Sequence, residues 1–197
     1  QSKGSPGWLL QTFCESAFTF QITVDPFATQ DFIALPSAAN PTIAMVPGDP
    51  AHWKAILPTL RRPGETFRLS IKGDDRWGNP SNRLTGKIKL KTNLPVTGLA
   101  EIIDLKAGDF GVVIDGLSVE SSGVLHLTVL DENDQLIATA NPLVIRQADA
   151  AHFWSDMHAQ SGETIGVGTA REYFDFARNK AFLDIAGHQG NDFQITD

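Results

Sequence analysis

Apolar and polar residues alternate with a period of two through much of the first 150 positions. In "FRLSIK" at 67–72, Phe67, Leu69 and Ile71 share one side, with Arg68, Ser70 and Lys72 opposite. "VLHLTVL" at 124–130 sets Leu125, Leu127 and Val129 against His126 and Thr128. "KIKLKT" at 87–92 alternates lysines with Ile88 and Leu90, which marks the wet face of a strand. Successive side chains of a strand point to opposite faces, so these runs predict half-buried strands with Phe67, Leu69, Ile71, Leu125, Leu127 and Val129 inward. "AFTFQITV" at 17–24 and "GVVIDGLSV" at 111–119 are rich in strand formers. Turn chemistry separates the runs at Pro63-Gly64, Gly78-Asn79-Pro80, Asn93 with Pro95, Ser121-Ser122-Gly123 and Asn133-Asp134. Together they predict a mainly β fold, with an immunoglobulin-like antiparallel β-sandwich over residues 1–150. Seven prolines from Asp25 to Pro63, the last included, forbid central strands at those points, so that segment reads as long loops with short edge strands near 42–46 and 52–57.

The period changes after Arg146. "QADAAH" at 147–152 reads as a joint. Beyond it, "HFWSDM" at 152–157 predicts a strand and "HAQSGETIGVG" at 158–168 a loop. "TAREYFDFARNKA" at 169–181 predicts the one long helix. Thr169 with Glu172 makes a capping box, and Arg178 and Lys180 suit the negative end of the helix dipole. "FLDIAG" at 182–187 predicts a second, short strand. One strand–helix–strand unit over 151–197 cannot cover its own sheet. Phe153, Phe174, Phe182 and Ile185 are therefore expected to stay uncovered, or to meet the remainder of a larger α/β domain or another copy of the chain.

Composition narrows the classes. The hydrophobic share of 42% is that of a globular protein. A net charge of −7 argues against nucleic-acid binding, which needs clustered lysines and arginines. No apolar run is long enough to span a membrane. Cys14 is alone, which rules out an internal disulfide and suits a reducing compartment such as the cytoplasm. The N-terminus, "QSKGSPGWLLQTF", has neither Met nor the plan of a secretion signal, so the sequence reads as processed or partial.

Chemistry concentrates where parallel strands should end. Loops leaving the carboxyl ends of adjacent strands, about 4.8 Å apart, can bring two imidazoles to one ion. His158 follows the first predicted strand of this unit and His188 the second. Imidazole suits zinc, iron or manganese. Glu163 and Asp192 can add oxygen ligands, and Asp156 can orient a ligand from behind or simply cap the strand end. Ser161 near His158 has no nucleophile elbow around it. In the β region, the acids of "DDRWGNP" at 74–80 fit either a Ca²⁺ loop or a tight turn with Trp77 over the sandwich end.

"DMHAQSGE" resembles the first motif, and "FLDIAGH" the second, of the PHP (polymerase and histidinol phosphatase) metal-dependent hydrolases. The whole of "FWSDMHAQSGETIGVGTAREYFDFARNKAFLDIAGHQGNDFQITD" is similar to a PHP-like family known mainly as a domain of unknown function, whose members carry a β-rich segment ahead. The resemblance covers roughly residues 147–197. It implies the opening βαβ unit of a distorted (β/α) barrel, truncated here, with divalent metal ions (Zn, Mn or Fe) that hydrolyse a phosphoester or sulfate ester. His158 and His188 then match motif histidines, Glu163 the following acid, and Gln160 stands in place of a second histidine. Gly187 replaces the expected Asp. The rival class is a β-sandwich that binds a glycan or a protein partner without catalysis.

Overall fold

A computed structural model describes residues 9–166 and 168–189. The molecule is mainly β, 38% strand and 7% helix, and its sheets stay open rather than closing into a barrel. Residues ahead of the main body form two small antiparallel ladders. β1 (Glu15–Thr19) pairs with β4 (Thr42–Met45), and β2 (Thr23–Val24) pairs with β3 (Ile33–Ala34). A 3₁₀ turn at Ser37–Ala39 joins β3 to β4.

The β body follows, in an arrangement consistent with a β-sandwich. One sheet has the order β10–β7–β5: β5 (His52–Ile56), β7 (Phe67–Asp74) and β10 (Val112–Leu117). Another has the order β13–β12–β8–β9: β8 (Lys87–Thr92), β9 (Ile102–Asp104), β12 (Leu127–Leu130) and β13 (Leu136–Thr139). The third joins β11 (Gly123–Leu125), β14 (Leu143–Ile145) and β6 (Leu60–Arg61) in the order β11–β14–β6. Every pairing in the body is antiparallel except β14 with β6, which is parallel and departs from the all-antiparallel expectation. All six residues expected inward are buried, Phe67 being the most exposed of them at 4%. They share one apolar core with Leu57, Leu84, Ile88, Leu117 and Leu143.

Two expectations need correction. The run at 124–130 is two strands in two sheets, broken at His126. Asn93 holds the break: its Oδ1 accepts from the His126 backbone N–H at 2.7 Å and its Nδ2 donates to the Val124 carbonyl at 2.9 Å. Leu125 and Leu127 still face the same core, so the alternation survives the change of sheet. The second correction concerns β7. Ser70 and Lys72 alternate outward as expected, yet both are buried, at 2% and 8% exposure. Only Arg68 of its outward set reaches solvent.

The cause is the C-terminal unit. β15 (Ser155–Ala159), α1 (Ala170–Asn179) and β16 (Ile185–His188) form a strand–helix–strand whose strands pair in parallel. Both strands lie about three residues later at their start than the apolar runs suggest. Phe153 and Trp154 precede the strand and are engaged in docking instead. The Trp154 indole N–H donates to the Leu57 carbonyl at 2.8 Å, and the Arg61 guanidinium sits 5.0 Å from the Phe153 ring centre. Arg61 also donates to the His152 carbonyl at 2.8 Å, and the Thr59 hydroxyl lies 2.9 Å from His152 Nδ1. The joint at 147–152 is therefore tied to the β body at several points.

Phe182 closes the seam. It is 7% exposed, against the expectation that it stays uncovered, while Phe153, Phe174 and Ile185 remain 55%, 44% and 47% exposed. Its ring occupies the space beside Gly111, where an added Cβ would lie 2.6 Å from both Phe182 Cζ and the Ile71 carbonyl. Phe182 adopts φ 59°, a left-handed conformation costly for a bulky residue, and burial holds it there. Lys72 completes the contact: its ammonium donates to the Lys180 carbonyl at 3.0 Å, at the end of α1, and lies 3.2 Å from Asp74. Asp74 also pairs with Lys54 at 2.6 Å.

The DDRWGNP segment is a tight turn and not an ion loop. Asp75 accepts from the backbone N–H groups of Gly48, Trp77 and Asn79 at 3.0, 2.8 and 3.0 Å, and from the Asn79 side chain. Its oxygens are filled by donors, which a cation would have to displace. Trp77 does not cover the sandwich end; it is 56% exposed, with the Arg76 guanidinium 4.5 Å from its ring centre.

Replacing Phe182 with Ala is expected to cost about 3–5 kcal/mol in urea unfolding, the usual range for deleting a buried ring. A loss below about 1 kcal/mol would mean the seam does not depend on that ring. Asp75 supplies a pH test. Burial pushes its carboxyl up, but the hydrogen bonds from Gly48, Asn79 and Trp77 outweigh this and hold it at about 2. A depressed carboxyl stabilises the fold above its ordinary range and loses that contribution as pH falls from about 4 to about 2. Acid unfolding of Asp75→Asn should lack that segment of the wild-type pH dependence.

Candidate functional site

The unit β15–α1–β16 brings its chemistry to the carboxyl end of the parallel pair. Ala159 lies opposite His188 in the register, and the Gln189 N–H donates to the Ala159 carbonyl at 2.8 Å. His158 and His188 were expected just after their strands; both instead lie within them, His188 as the last residue of β16. A bulge between Asp156 and Ala159 interrupts the ladder. Asp156 answers it: its Oδ1 accepts the His158 backbone N–H at 3.0 Å. Asp156 thus braces the strand's own backbone and not an imidazole, which is the strand-cap alternative. The exposed His158 ring hydrogen-bonds no described residue.

The loop after β15 folds tightly on itself. The Ser161 carbonyl accepts from the Thr164 and Gly166 N–H groups at 3.0 and 2.8 Å. Gly166 is required by close approach, since an added Cβ would lie 2.7 Å from the Gln160 carbonyl. Ser161 is fully buried and contacts both His188 Nε2, at 2.8 Å, and the Glu163 carboxylate. Glu163 in turn receives the Ala170 N–H at 2.9 and 3.1 Å, the first N–H of α1. The Ser161 hydroxyl and this backbone N–H hold the Glu163 carboxyl below its ordinary range. A carboxylate at the positive end of a helix dipole is well placed. Thr169 and Glu172 complete the helix start as the capping box expected from the sequence.

The His188 ring packs beside Tyr173 and Phe174, with ring centres 6.2 and 6.4 Å apart. The Tyr173 hydroxyl donates to the Gly187 carbonyl at 3.2 Å. Gly187 lies against β15: an added Cβ would be 3.0 Å from the end of the Met157 side chain and 3.4 Å from its Cα. Gln160 Oε1 is buried with no hydrogen-bond partner among the described residues. A buried amide oxygen without a donor is costly, which makes this atom a candidate ligand in place of the motif's second histidine.

Among the described residues, no three His, Cys, Asp or Glu side chains gather closely enough to hold an ion. Asp192 lies outside the described residues. The His188 and His158 imidazoles and the orphaned Gln160 oxygen belong to this end of the unit. Glu163 is engaged as a helix brace. Ser161, weighed from the sequence only as a nucleophile, links His188 to that brace. Among the described residues, no helix is long and apolar enough to cross a membrane. The chain matches no protein-family model and no curated protein sequence.

Glu163→Ala should fray the start of α1, because the Ala170 N–H loses its carboxylate. Amide hydrogen exchange over 170–173 is expected to accelerate while 87–92 of β8 stays protected. Equal exchange in both proteins would show that Glu163 does not brace the helix.

Proposed function

We propose that this chain belongs to a metal-dependent hydrolase of an anionic ester, a phosphoester before a sulfate ester. In this reading β15–α1–β16 opens a PHP-like (β/α) barrel, and the β body is an immunoglobulin-like sandwich ahead of it. The observation that supports it is the buried Gln160 Oε1, unpartnered among the described residues, which follows Ala159, the register partner of His188, at the carboxyl end of a parallel pair. That edge is where α/β folds carry their chemistry. His158, His188 and Gln160 would hold divalent metal together with later ligands, Asp192 among the candidates. When bound, such ions lower the pKa of a water and neutralise the ester oxygens. This chain's part is to fix the His188 imidazole in place through the buried Ser161. Exposed Phe153, Phe174 and Ile185 suit a surface that the rest of the domain, or a second copy, covers.

His158→Ala and His188→Ala in the full-length protein are each expected to lose at least about tenfold in metal affinity and most ester hydrolysis. Metal content by plasma mass spectrometry and turnover of an aryl phosphate check both. Undiminished metal and turnover in both variants would leave the binding-module alternative in place.

A further inference from the structure

The Ser161 hydroxyl has one proton to give and two lone pairs to accept with. Three groups lie on it: His188 Nε2 at 2.8 Å, the Glu163 backbone N–H at 3.3 Å, and the Glu163 carboxylate. The backbone N–H can only donate. The carboxylate, ionised and already receiving the Ala170 N–H, can only accept. The serine proton therefore goes to Glu163. What remains toward His188 is an oxygen lone pair, and only a protonated Nε2 satisfies it.

We propose that Ser161 is a positioning residue that fixes His188 as its Nε2–H tautomer and leaves Nδ1 as the nitrogen open to a metal ion. Water does not compete for the serine, which is fully buried. No described residue hydrogen-bonds Nδ1. The order of causes runs from the N-terminus of α1 to Glu163, from Glu163 to Ser161, and from Ser161 to the imidazole. Ligand histidines commonly give their second N–H to such an acceptor, which sets tautomer and ring orientation. The ligand half of the inference rests on the metallohydrolase reading; the tautomer half does not.

Nitrogen-15 NMR of histidine-labelled, metal-free protein at about pH 8, above the ordinary imidazole range, reads the tautomer directly. The full chain is expected to show His188 with a protonated Nε2 and a bare Nδ1, and Ser161→Ala to show both tautomers in exchange. An Nδ1–H form in the wild type, or an unchanged pattern in Ser161→Ala, overturns the positioning role. The wild-type spectrum needs no variant, so a Ser161→Ala protein that fails to fold does not spare the proposal. A Zn²⁺ titration of the full-length protein then follows the same signals. Zn²⁺ should shift Nδ1, and Ser161→Ala should weaken binding about 10- to 100-fold. Zn²⁺ on Nε2, or equal affinity in the two proteins, overturns the ligand half. No Zn²⁺ binding with the Nε2–H form intact sinks the metallohydrolase reading and the ligand half together, and leaves the tautomer result standing.

Discussion

The outer face of β7 is the surface on which the molecule is organised. A strand at the middle of its sheet normally buries one face and wets the other. Here Lys72 and Ser70, on the outward side, are buried, Ser70 near Trp154 and Phe182 and Lys72 against Lys180. Phe182 supplies the apolar part of the contact and Lys72 the polar part. The Lys72 ammonium has a buried carboxylate, Asp74, on one side and the carbonyl of Lys180, the C-cap of α1, on the other. Neither group could be buried there alone without large cost. The β body and the strand–helix–strand unit are therefore set against each other by desolvated charge as well as by a ring.

How much of this was legible follows from what local pattern can carry. Period two located β7, β8 and β12 and named their inward residues, because alternation depends only on a strand having one apolar side. It assigned Ser70 and Lys72 to solvent because nothing near them records that a segment about a hundred positions later lies on top. The capping box at Thr169 placed the helix start to the residue, since the two side chains that close it are three apart. The strands of the last unit were misplaced because Phe153 and Trp154 look like strand residues while their contacts are with Leu57 and Arg61.

The candidate site divides the same way. His158, His188 and Gln160, which the resemblance singled out, stand at one end of the parallel pair. Asp156 and Glu163 were candidates too, but their oxygens are directed at backbone N–H groups. A carboxylate in a sequence motif does not announce whether it serves an ion or a helix end, because both are positive and both sit beside glycine-rich loops. Ser161 has no periodic or compositional signature at all. Its importance is a matter of counting donors and acceptors in three dimensions.

Helix α1 is gripped at both ends from outside itself, by Lys72 at the carbonyl of its C-cap Lys180 and by Glu163 at its first N–H. Its 10 residues make a rod of roughly 15 Å. A hydrogen-bonded rod of that length resists stretching far more than the loops beside it. Any axial slip between the β body and the helix therefore arrives almost undiminished at Glu163, and from there at the serine beneath His188. Mechanically the helix is a strut, and its two footings are a buried lysine and a histidine's hydrogen-bond partner.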